Sequence, residues 1–205
     1  MDAVTDTNGM RVLTAAHRYH EEIRKSRFLA QAVFLPNAEQ APELIAQLST
    51  ANVSHNCWAW RCGQQYRFND DGEPSGTAGR PILAAIEHQQ FDQVLIVVTR
   101  WYGGIQLGTG GLARAYGGCA TQVLQSAPSE ILVPRTQLTG HCPYTYLDVF
   151  KVRIVEAGGV LNSEVFDASG ACLNLSVPDG QVIALQEILR EATRGASSLH
   201  EVDPS

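Results

Sequence analysis

The sequence predicts an α+β protein of two domains, and three observations support this prediction. Its 205 residues suffice for one large domain or two small ones. Hydrophobic residues make up 44% and charged residues 18% of the chain, as in ordinary globular proteins. The pattern of strand-like and helix-like segments changes after Pro128 and Pro134, which bracket the expected linker. We therefore expect domains at residues 1–130 and 136–205.

The first domain is predicted to begin with a polar lead-in and a strand. Residues 11–24 are mostly polar and suggest no regular element. Arg27–Leu35 is rich in apolar residues and predicts a strand, which Pro36 ends. The next segment predicts a helix, whose apolar face consists of Leu44, Ile45 and Leu48. Residues 55–61 and 66–68 predict two further strands.

A loop and a buried strand follow in the same domain. Residues 69–79 contain the Gly, Pro, Asn and Asp that favour turns, and Pro81 suits the first position of a helix. Val94–Thr99 is almost continuously apolar and β-branched, which predicts a central strand buried on both faces. A Gly-rich segment at residues 103–111 then leads into a second helix. The apolar positions of that helix are Leu112, Ala115, Tyr116, Cys119 and Val123.

The second domain is predicted to have the order βαββαβ, which is the split βαβ or ferredoxin-like plan. One helix is expected at Tyr144–Glu156 and is ended by Gly158 and Gly159. A second helix follows Asp179, which we expect to cap it. The expected strands are Gln137–Cys142, Val160–Phe166, Ala171–Val177 and Ser197–Val202.

Charge and cysteine content restrict the function. The formal net charge is −6, so RNA binding would require a local basic patch. No apolar run approaches the roughly 20 residues that span a membrane, and residues 1–10 lack the pattern of a secretory signal. The five cysteines are odd in number and widely spaced. We therefore predict reduced thiols and a cytoplasmic location.

The Gly-rich segment after the buried strand is the most informative part of the sequence. It consists of Arg100-Trp-Tyr-Gly-Gly-Ile-Gln-Leu-Gly-Thr-Gly-Gly-Leu-Ala-Arg114. Glycines let backbone N–H groups face a ligand, and a helix N-terminus adds unpaired donors and partial positive charge. Arginines suit phosphate, and Trp101 and Tyr102 suit base stacking. In the alternative structural interpretation, the glycines only permit a tight turn and the aromatic residues belong to the core.

A second Gly-rich segment, Asp70-Asp-Gly-Glu-Pro-Ser-Gly-Thr-Ala-Gly-Arg-Pro81, also allows two interpretations. Asp70, Asp71 and Glu73 could bind a metal or transfer protons. They could instead accept hydrogen bonds from backbone N–H groups within a turn. We favour the turn because Pro74 and the glycines are turn residues.

Familiar nucleotide-binding motifs are incomplete. The spacing from Gly103 to Thr109 resembles a Walker A loop without its lysine. The string from Gly108 to Ala113 fits the Rossmann pattern, but it starts too far beyond the strand that ends near Thr99. Dinucleotide binding is therefore not expected.

Zinc binding and serine hydrolysis are also not expected. His55, Cys57 and Cys62 lack a fourth ligand, and no G-x-S-x-G elbow surrounds Ser75. We therefore predict no metal, no cofactor and no catalytic residues.

Four segments together resemble the YigZ/IMPACT family. The two Gly-rich segments are its main motifs, and Lys25-Ser-Arg-Phe28 and His55-Asn-Cys57 match minor ones, over roughly residues 20–125. The resemblance implies a ribosomal-protein-S5-domain-2-like first domain. It implies an elongation-factor-G-domain-V-like second domain, in agreement with the βαββαβ order. It also implies a link to translation, because eukaryotic members regulate translation initiation through an additional N-terminal domain that is not expected here.

We therefore predict a non-catalytic protein that binds RNA or the ribosome through Gly-rich loops and arginines, with translation regulation as the implied process. The predicted anion-binding residues are Lys25, Arg27, Arg80, Arg100, Trp101, Tyr102, Gly103, Gly104, Gly108, Thr109, Gly110, Gly111 and Arg114. The residues of the other family motif are Asp70, Asp71, Gly72, Glu73, Pro74, Ser75, Gly76, Thr77 and Gly79. The sequence predicts RNA, the ribosome or translation factors as partners and no membrane, and it leaves the oligomeric state open.

Two alternatives stay open, an enzyme acting on a phosphorylated or nucleotide substrate and a protein-interaction module. An open basic groove would favour RNA binding, whereas carboxylates that converge with arginines in a closed pocket would favour the enzyme. If Arg100 or Arg114 is buried against an acidic residue of the loop, its replacement would lower stability instead.

Overall fold

The computed structural model describes residues 9–202, in which the protein forms five α-helices and eleven β-strands. The predicted α+β class is confirmed. The chain divides into two compact units between Leu132 and Val133, which we call unit 1 and unit 2. None of the helices in the described residues is long and apolar enough to cross a membrane.

Unit 1 contains one large sheet, one small sheet and three helices. In chain order its elements are β1 (Arg11–Leu13), β2 (His17–Ile23), β3 (Ser26–Phe34), α1 (Ala41–Leu48), β4 (His55–Cys62), β5 (Gln65–Asn69), α2 (Gly79–His88), β6 (Val94–Trp101), α3 (Thr109–Ser126) and β7 (Ser129–Ile131). The large sheet has the order β2-β3-β6-β4-β5 with antiparallel neighbours. Strands β1 and β7 form a separate antiparallel pair.

Strand β6 is the buried centre of the large sheet, as its apolar sequence predicted. Successive side chains of a strand point to opposite faces. Ile96 and Val98 therefore join the core beneath α2 and α3, and Leu95 and Val97 join the core beneath α1. Because Arg100 has the same parity as Val98, its side chain lies on the α2–α3 face.

The predicted lead-in at residues 11–24 is wrong, because this segment forms β1 and β2. Strand β2 is an edge strand whose residues alternate between half-buried and exposed. Edge strands commonly have charged and polar side chains, so the segment lacks the apolar signature of a strand. The expected linker between Pro128 and Pro134 likewise contains β7, which pairs with β1.

Unit 2 is a four-stranded sheet with two helices. Its elements are β8 (Arg135–Pro143), α4 (Tyr144–Glu156), β9 (Val160–Phe166), β10 (Gly170–Pro178), α5 (Val182–Ala192) and β11 (Leu199–Glu201). The sheet order is β11-β8-β10-β9, and all neighbours are antiparallel. Buried residues of α4 and α5, including Phe150 and Leu185, pack on Leu173 and Leu175 of β10.

Two predicted details at helix starts are wrong. Asp179 does not cap α5, because it begins a 3₁₀ turn, Asp179–Gln181, that precedes the helix. Its carboxylate instead accepts a hydrogen bond from Thr136 Oγ1 at 2.8 Å. Pro81 is the third residue of α2 and not the first, because the helix already begins at Gly79.

Candidate ligand-binding site

A buried ion pair lies where β6 ends. Arg100 Nη1 donates to Glu73 Oε1 at 2.7 Å, and the two side chains are only 6% and 4% exposed. Arg100 Nη2 also donates to Ser26 Oγ at 3.3 Å. Arg100 therefore does not belong to an exposed basic patch. Its burial against an acidic residue of the loop is the alternative that the sequence left open. The reason is its parity on β6, which turns the side chain inward beneath the loop that contains Glu73.

Tyr116 of α3 supports the same carboxylate. Its hydroxyl donates to Glu73 Oε1 at 2.7 Å, and its ring packs edge-on against Phe28 at 5.4 Å. Burial, together with the neighbouring Cys57 and Glu73, raises the pKa of Tyr116 well above its ordinary value. Tyr116 therefore stays a hydrogen-bond donor. The sequence placed this residue in the core and did not connect it with the site.

His55 of β4 presents a ring nitrogen to the pair. Its Nδ1 lies 2.6 Å from the backbone carbonyl of Asp71, which can only accept, so Nδ1 bears the proton. The opposite nitrogen, Nε2, lies 3.8 Å from Glu73 Oε1. In the neutral ring Nε2 is therefore an acceptor next to the carboxylate.

The two aspartates of the loop bond to backbone, as the turn interpretation predicted. Asp70 accepts hydrogen bonds from the N–H groups of Gly76, Ala78 and Gly79 at 2.8, 3.0 and 2.8 Å. Asp71 Oδ2 accepts from Asn56 N at 2.5 Å. Within residues 9–202, no group of three or more His, Cys, Asp or Glu is arranged to hold a metal ion. Glu73 differs from the two aspartates, because its carboxylate accepts hydrogen bonds from side chains.

A pocket of about 590 Å³ opens beside this carboxylate, and we call it the Glu73 pocket. Tyr102 forms part of it and is 50% exposed, with Arg100 Cζ 5.4 Å from its ring centroid. Helix α3 begins at the pocket with Thr109, and Gly108 before it supplies no side-chain cap. The lining residues are Ser54, His55, Glu73, Pro74, Arg100, Tyr102, Gln106, Leu107, Gly108, Thr109 and Leu112.

Four exposed cations lie around the Gly-rich segment, and we call Arg24, Lys25, Arg27 and Arg114 the basic rim. Arg24 and Lys25 form the β2–β3 turn with φ of 47° and 65°. A Cβ on Gly103 would lie 2.0 Å from the Lys25 carbonyl oxygen, so the Gly-rich segment touches this turn.

Contacts of its arginines also join the basic rim to residues of the Gly-rich segment. Arg24 and Arg114 line one pocket together with Leu107. Arg27 lies over the half-buried Trp101 ring at 5.3 Å. Arg24 was not among the predicted anion-binding residues, although its position beside Lys25 could have indicated it.

Other predicted anion-binding residues have different positions. Arg80 is exposed in the first turn of α2, and among the described residues no hydrogen bond, ion pair or ring contact joins it to the basic rim. Gly104 and Gly108 have positive φ of 82° and 71°. Gly110 and Gly111 lie in the first turn of α3. All five cysteines are free.

The remaining loop residues shape the turn. Thr77 Oγ1 donates to the Pro74 carbonyl at 2.6 Å, while Ser75 is exposed. Gly72 and Gly76 have φ of 82° and 75°.

Known proteins are similar to this chain in sequence and in fold. The sequence profile of the Impact N-terminal domain matches residues 24–124. IMPACT family member YigZ of Escherichia coli (strain K12) is 33% identical over 190 residues, which cover 89% of this chain and 93% of that protein. An IMPACT family member of Haemophilus influenzae is 37% identical over 184 residues, covering 86% and 89%. A crystal structure described as that of a hypothetical protein gives a TM-score of 0.71 at 32% identity, covering 96% and 98%.

Proposed function

The chain belongs to the IMPACT family, and from that premise we propose that it is a non-catalytic RNA-binding protein that acts with the translation machinery. The observation that carries the proposal is the basic rim beside the Gly-rich segment. Its four exposed cations come from the β2–β3 hairpin and α3, on a chain with a net charge of −6. Such a patch attracts phosphates locally, while the acidic remainder opposes nonspecific binding.

The geometry of the rim favours a flexible single strand. Glu21 and Glu22 on β2 line the same small pockets as the rim arginines, so the positive charge of the rim is confined to a short patch. A single strand can follow such a short patch by bending, which a stiff duplex does not do easily. Single-stranded RNA also exposes its bases, and Tyr102 offers a half-exposed ring near the rim.

The proposal includes a likeness of each unit to a domain of the translation machinery. We propose that unit 1 is S5-domain-2-like and that unit 2 is elongation-factor-G-domain-V-like. The strand–helix–strand–strand–helix–strand order of unit 2 and its antiparallel sheet order support the second likeness. Fold likeness to ribosome-associated domains is an analogy, and the rim remains the physical argument.

The test is fluorescence anisotropy of a labelled single-stranded RNA at increasing KCl. Affinity of the wild-type protein should fall with salt, because each neutralised phosphate releases counterions. The double variant Arg27→Gln/Arg114→Gln should bind more weakly, with a log–log salt slope reduced by roughly 0.7 for each lost contact. Arg100 is excluded from this variant because it is buried.

The matched control is Arg190→Gln/Arg194→Gln, which removes the same charge from exposed positions of unit 2. It should bind RNA nearly as the wild type does. Wild-type affinity and salt slope in a well-folded Arg27→Gln/Arg114→Gln protein would rule out the rim as the RNA site.

A second candidate, an enzyme acting on a nucleotide or phosphorylated substrate, is favoured by the convergence of Glu73, Arg100 and His55 in one pocket. A carboxylate and an imidazole side by side are suited to proton transfer. The assay is release of inorganic phosphate or free base from nucleotides. Turnover by the wild type that is lost in His55→Ala would establish the enzyme, and no turnover would exclude it for those substrates.

A further inference from the structure

The Glu73 pocket presents acceptors at one end. Glu73 Oε1 accepts from Arg100 and Tyr116, whereas Oε2 accepts no hydrogen bond from the described residues. Glu73 lines the pocket although its side chain is only 4% exposed, so Oε2 is the oxygen left to accept from a ligand there. His55 Nε2 adds a second acceptor, since Nδ1 holds the proton. A ligand that reaches this end must therefore bring N–H or O–H donors.

The middle of the pocket is apolar and aromatic. Pro74, Leu107 and Leu112 line it, and Tyr102 contributes a half-exposed ring. The Arg100 guanidinium lies near that ring, and its charge is balanced by Glu73. A flat, uncharged ring system fits this part best, because stacking on an aromatic ring requires no counter-charge.

The other end of the pocket is the start of α3. The first N–H groups of a helix have no acceptor within the helix, and Gly108 provides no side-chain cap for them. Thr109 lines the pocket at this point, and two glycines follow it without side chains that would block access. Such a helix start attracts an anion.

We propose that the Glu73 pocket takes one unpaired nucleotide, with its base donors on Glu73 and His55, its ring stacked on Tyr102 and its phosphate at the start of α3. The inference rests on the proposed RNA binding and specifies which part of the RNA is recognised. The volume of about 590 Å³ suits a ligand of this size. Guanine has two neighbouring donors on its Watson–Crick edge and uracil has one, so the two acceptors favour guanine.

The experiment is calorimetric titration of the full chain with GMP, UMP, guanosine and inorganic phosphate. GMP is expected to bind more tightly than UMP, and guanosine should retain part of the affinity. The variant Tyr102→Ala should weaken GMP binding on the order of tenfold, because it removes the stacking surface. Tyr66→Ala is the matched control, because Tyr66 is an exposed tyrosine on β5 outside the pocket. It should leave GMP binding unchanged.

Each outcome distinguishes the pocket from the basic rim. Equal binding of GMP, UMP and inorganic phosphate, unaffected by Tyr102→Ala, would overturn the base site. Rim-dependent RNA binding without any GMP binding would also overturn it and leave the proposed function intact. GMP binding that depends on Tyr102 without RNA binding would support the pocket and overturn the proposed function.

Discussion

At the scale of single residues, the pair of Glu73 and Arg100 determines the site. Both side chains are more than nine-tenths buried and are 2.7 Å apart. A buried ion pair adds little net stability, since desolvation offsets attraction, but losing one partner leaves an uncompensated charge. The pair therefore affects the free energy of unfolding most when one partner is removed.

Replacing Arg100 with Gln should lower the free energy of unfolding by about 3 kcal/mol or more, because the Glu73 carboxylate would stay buried without its cation. Urea denaturation measures the difference. Arg114→Gln is the control, since Arg114 is exposed, and it should change stability by no more than about 0.5 kcal/mol. Equal stability of the two variants would contradict the buried pair.

Gly103 and Gly104 should respond differently to alanine, although they are neighbours. A Cβ at Gly103 would lie 2.0 Å from the backbone oxygen of Lys25, so the loop and the turn would have to separate. At Gly104 a Cβ meets nothing within 4 Å, and only its φ of 82° opposes alanine. We expect a loss of about 1 kcal/mol for Gly104→Ala and a larger loss for Gly103→Ala in the same urea assay. A larger loss at Gly104 would contradict the close approach.

The sequence predicted local roles of residues better than their long-range partners. Asp70 and Asp71 were assigned to a turn because Pro74 and the glycines beside them are turn residues, and the Asp70 carboxylate does accept from N–H groups six to nine residues away. Glu73 belongs to the same segment, yet its partners Arg100 and Tyr116 are 27 and 43 residues away. The sequence left open that Arg100 is buried against an acidic residue of this loop, but no short motif identifies Glu73 as that residue or Tyr116 as its second partner.

At the scale of elements, the segments with an apolar pattern were predicted, including the edge strands β5, β9 and β11, whereas the polar edge strand β2 was not. Strand β6 and helix α3 have continuous or periodic apolar residues, which indicate burial directly. Strand β2 has the sequence His-Arg-Tyr-His-Glu-Glu-Ile and lies at a sheet edge. Its pairing with β3 depends on backbone hydrogen bonds, which leave no trace in the side-chain pattern.

The β9–β10 turn should make unit 2 sensitive to acid through Asp167. Hydrogen bonds from Ser169 N and Oγ, then from His141 and Gly170, lower the pKa of Asp167 below the ordinary 3.8. A lowered folded-state pKa gives stability that is present above the ordinary value and is lost as pH falls through the folded value. Wild type should therefore melt at a higher temperature than Asp167→Asn at neutral pH, and the gap should shrink below about pH 4.

Asp148→Asn is the charge control, on helix α4 of the same unit. Its melting temperature should follow wild type more closely than that of Asp167→Asn. A gap between wild type and Asp167→Asn that widens in acid would contradict the assigned hydrogen bonds.

At the scale of the whole molecule, each unit has its own hydrophobic core. The cores of unit 1 lie on both faces of its large sheet, and the core of unit 2 lies between its sheet and helices. Units with separate cores can fold separately. Limited proteolysis should therefore cut near residues 132–134, because β7 protects residues 129–131 by pairing with β1.

Separate expression tests the same division. The fragments 1–132 and 133–205 should each unfold cooperatively in thermal denaturation followed by circular dichroism. A fragment of residues 1–128 is the control, because it lacks β7, the strand with which β1 forms its antiparallel pair. It should melt at a lower temperature than 1–132. Equal melting of these two fragments would show that β7 is only a linker.

The β1–β7 pairing also has a consequence for how the protein is made. Arg11 hydrogen-bonds Ser129, which is 118 residues later in the chain. At roughly 5–20 residues per second, a ribosome needs on the order of ten seconds to add that interval. During this time β1 has left the ribosome without its partner strand β7, while the sheet around β6 can already assemble. The β1–β7 pairing therefore cannot form until β7 has left the ribosome, and a pause at that point would give unit 1 time to close before unit 2 emerges.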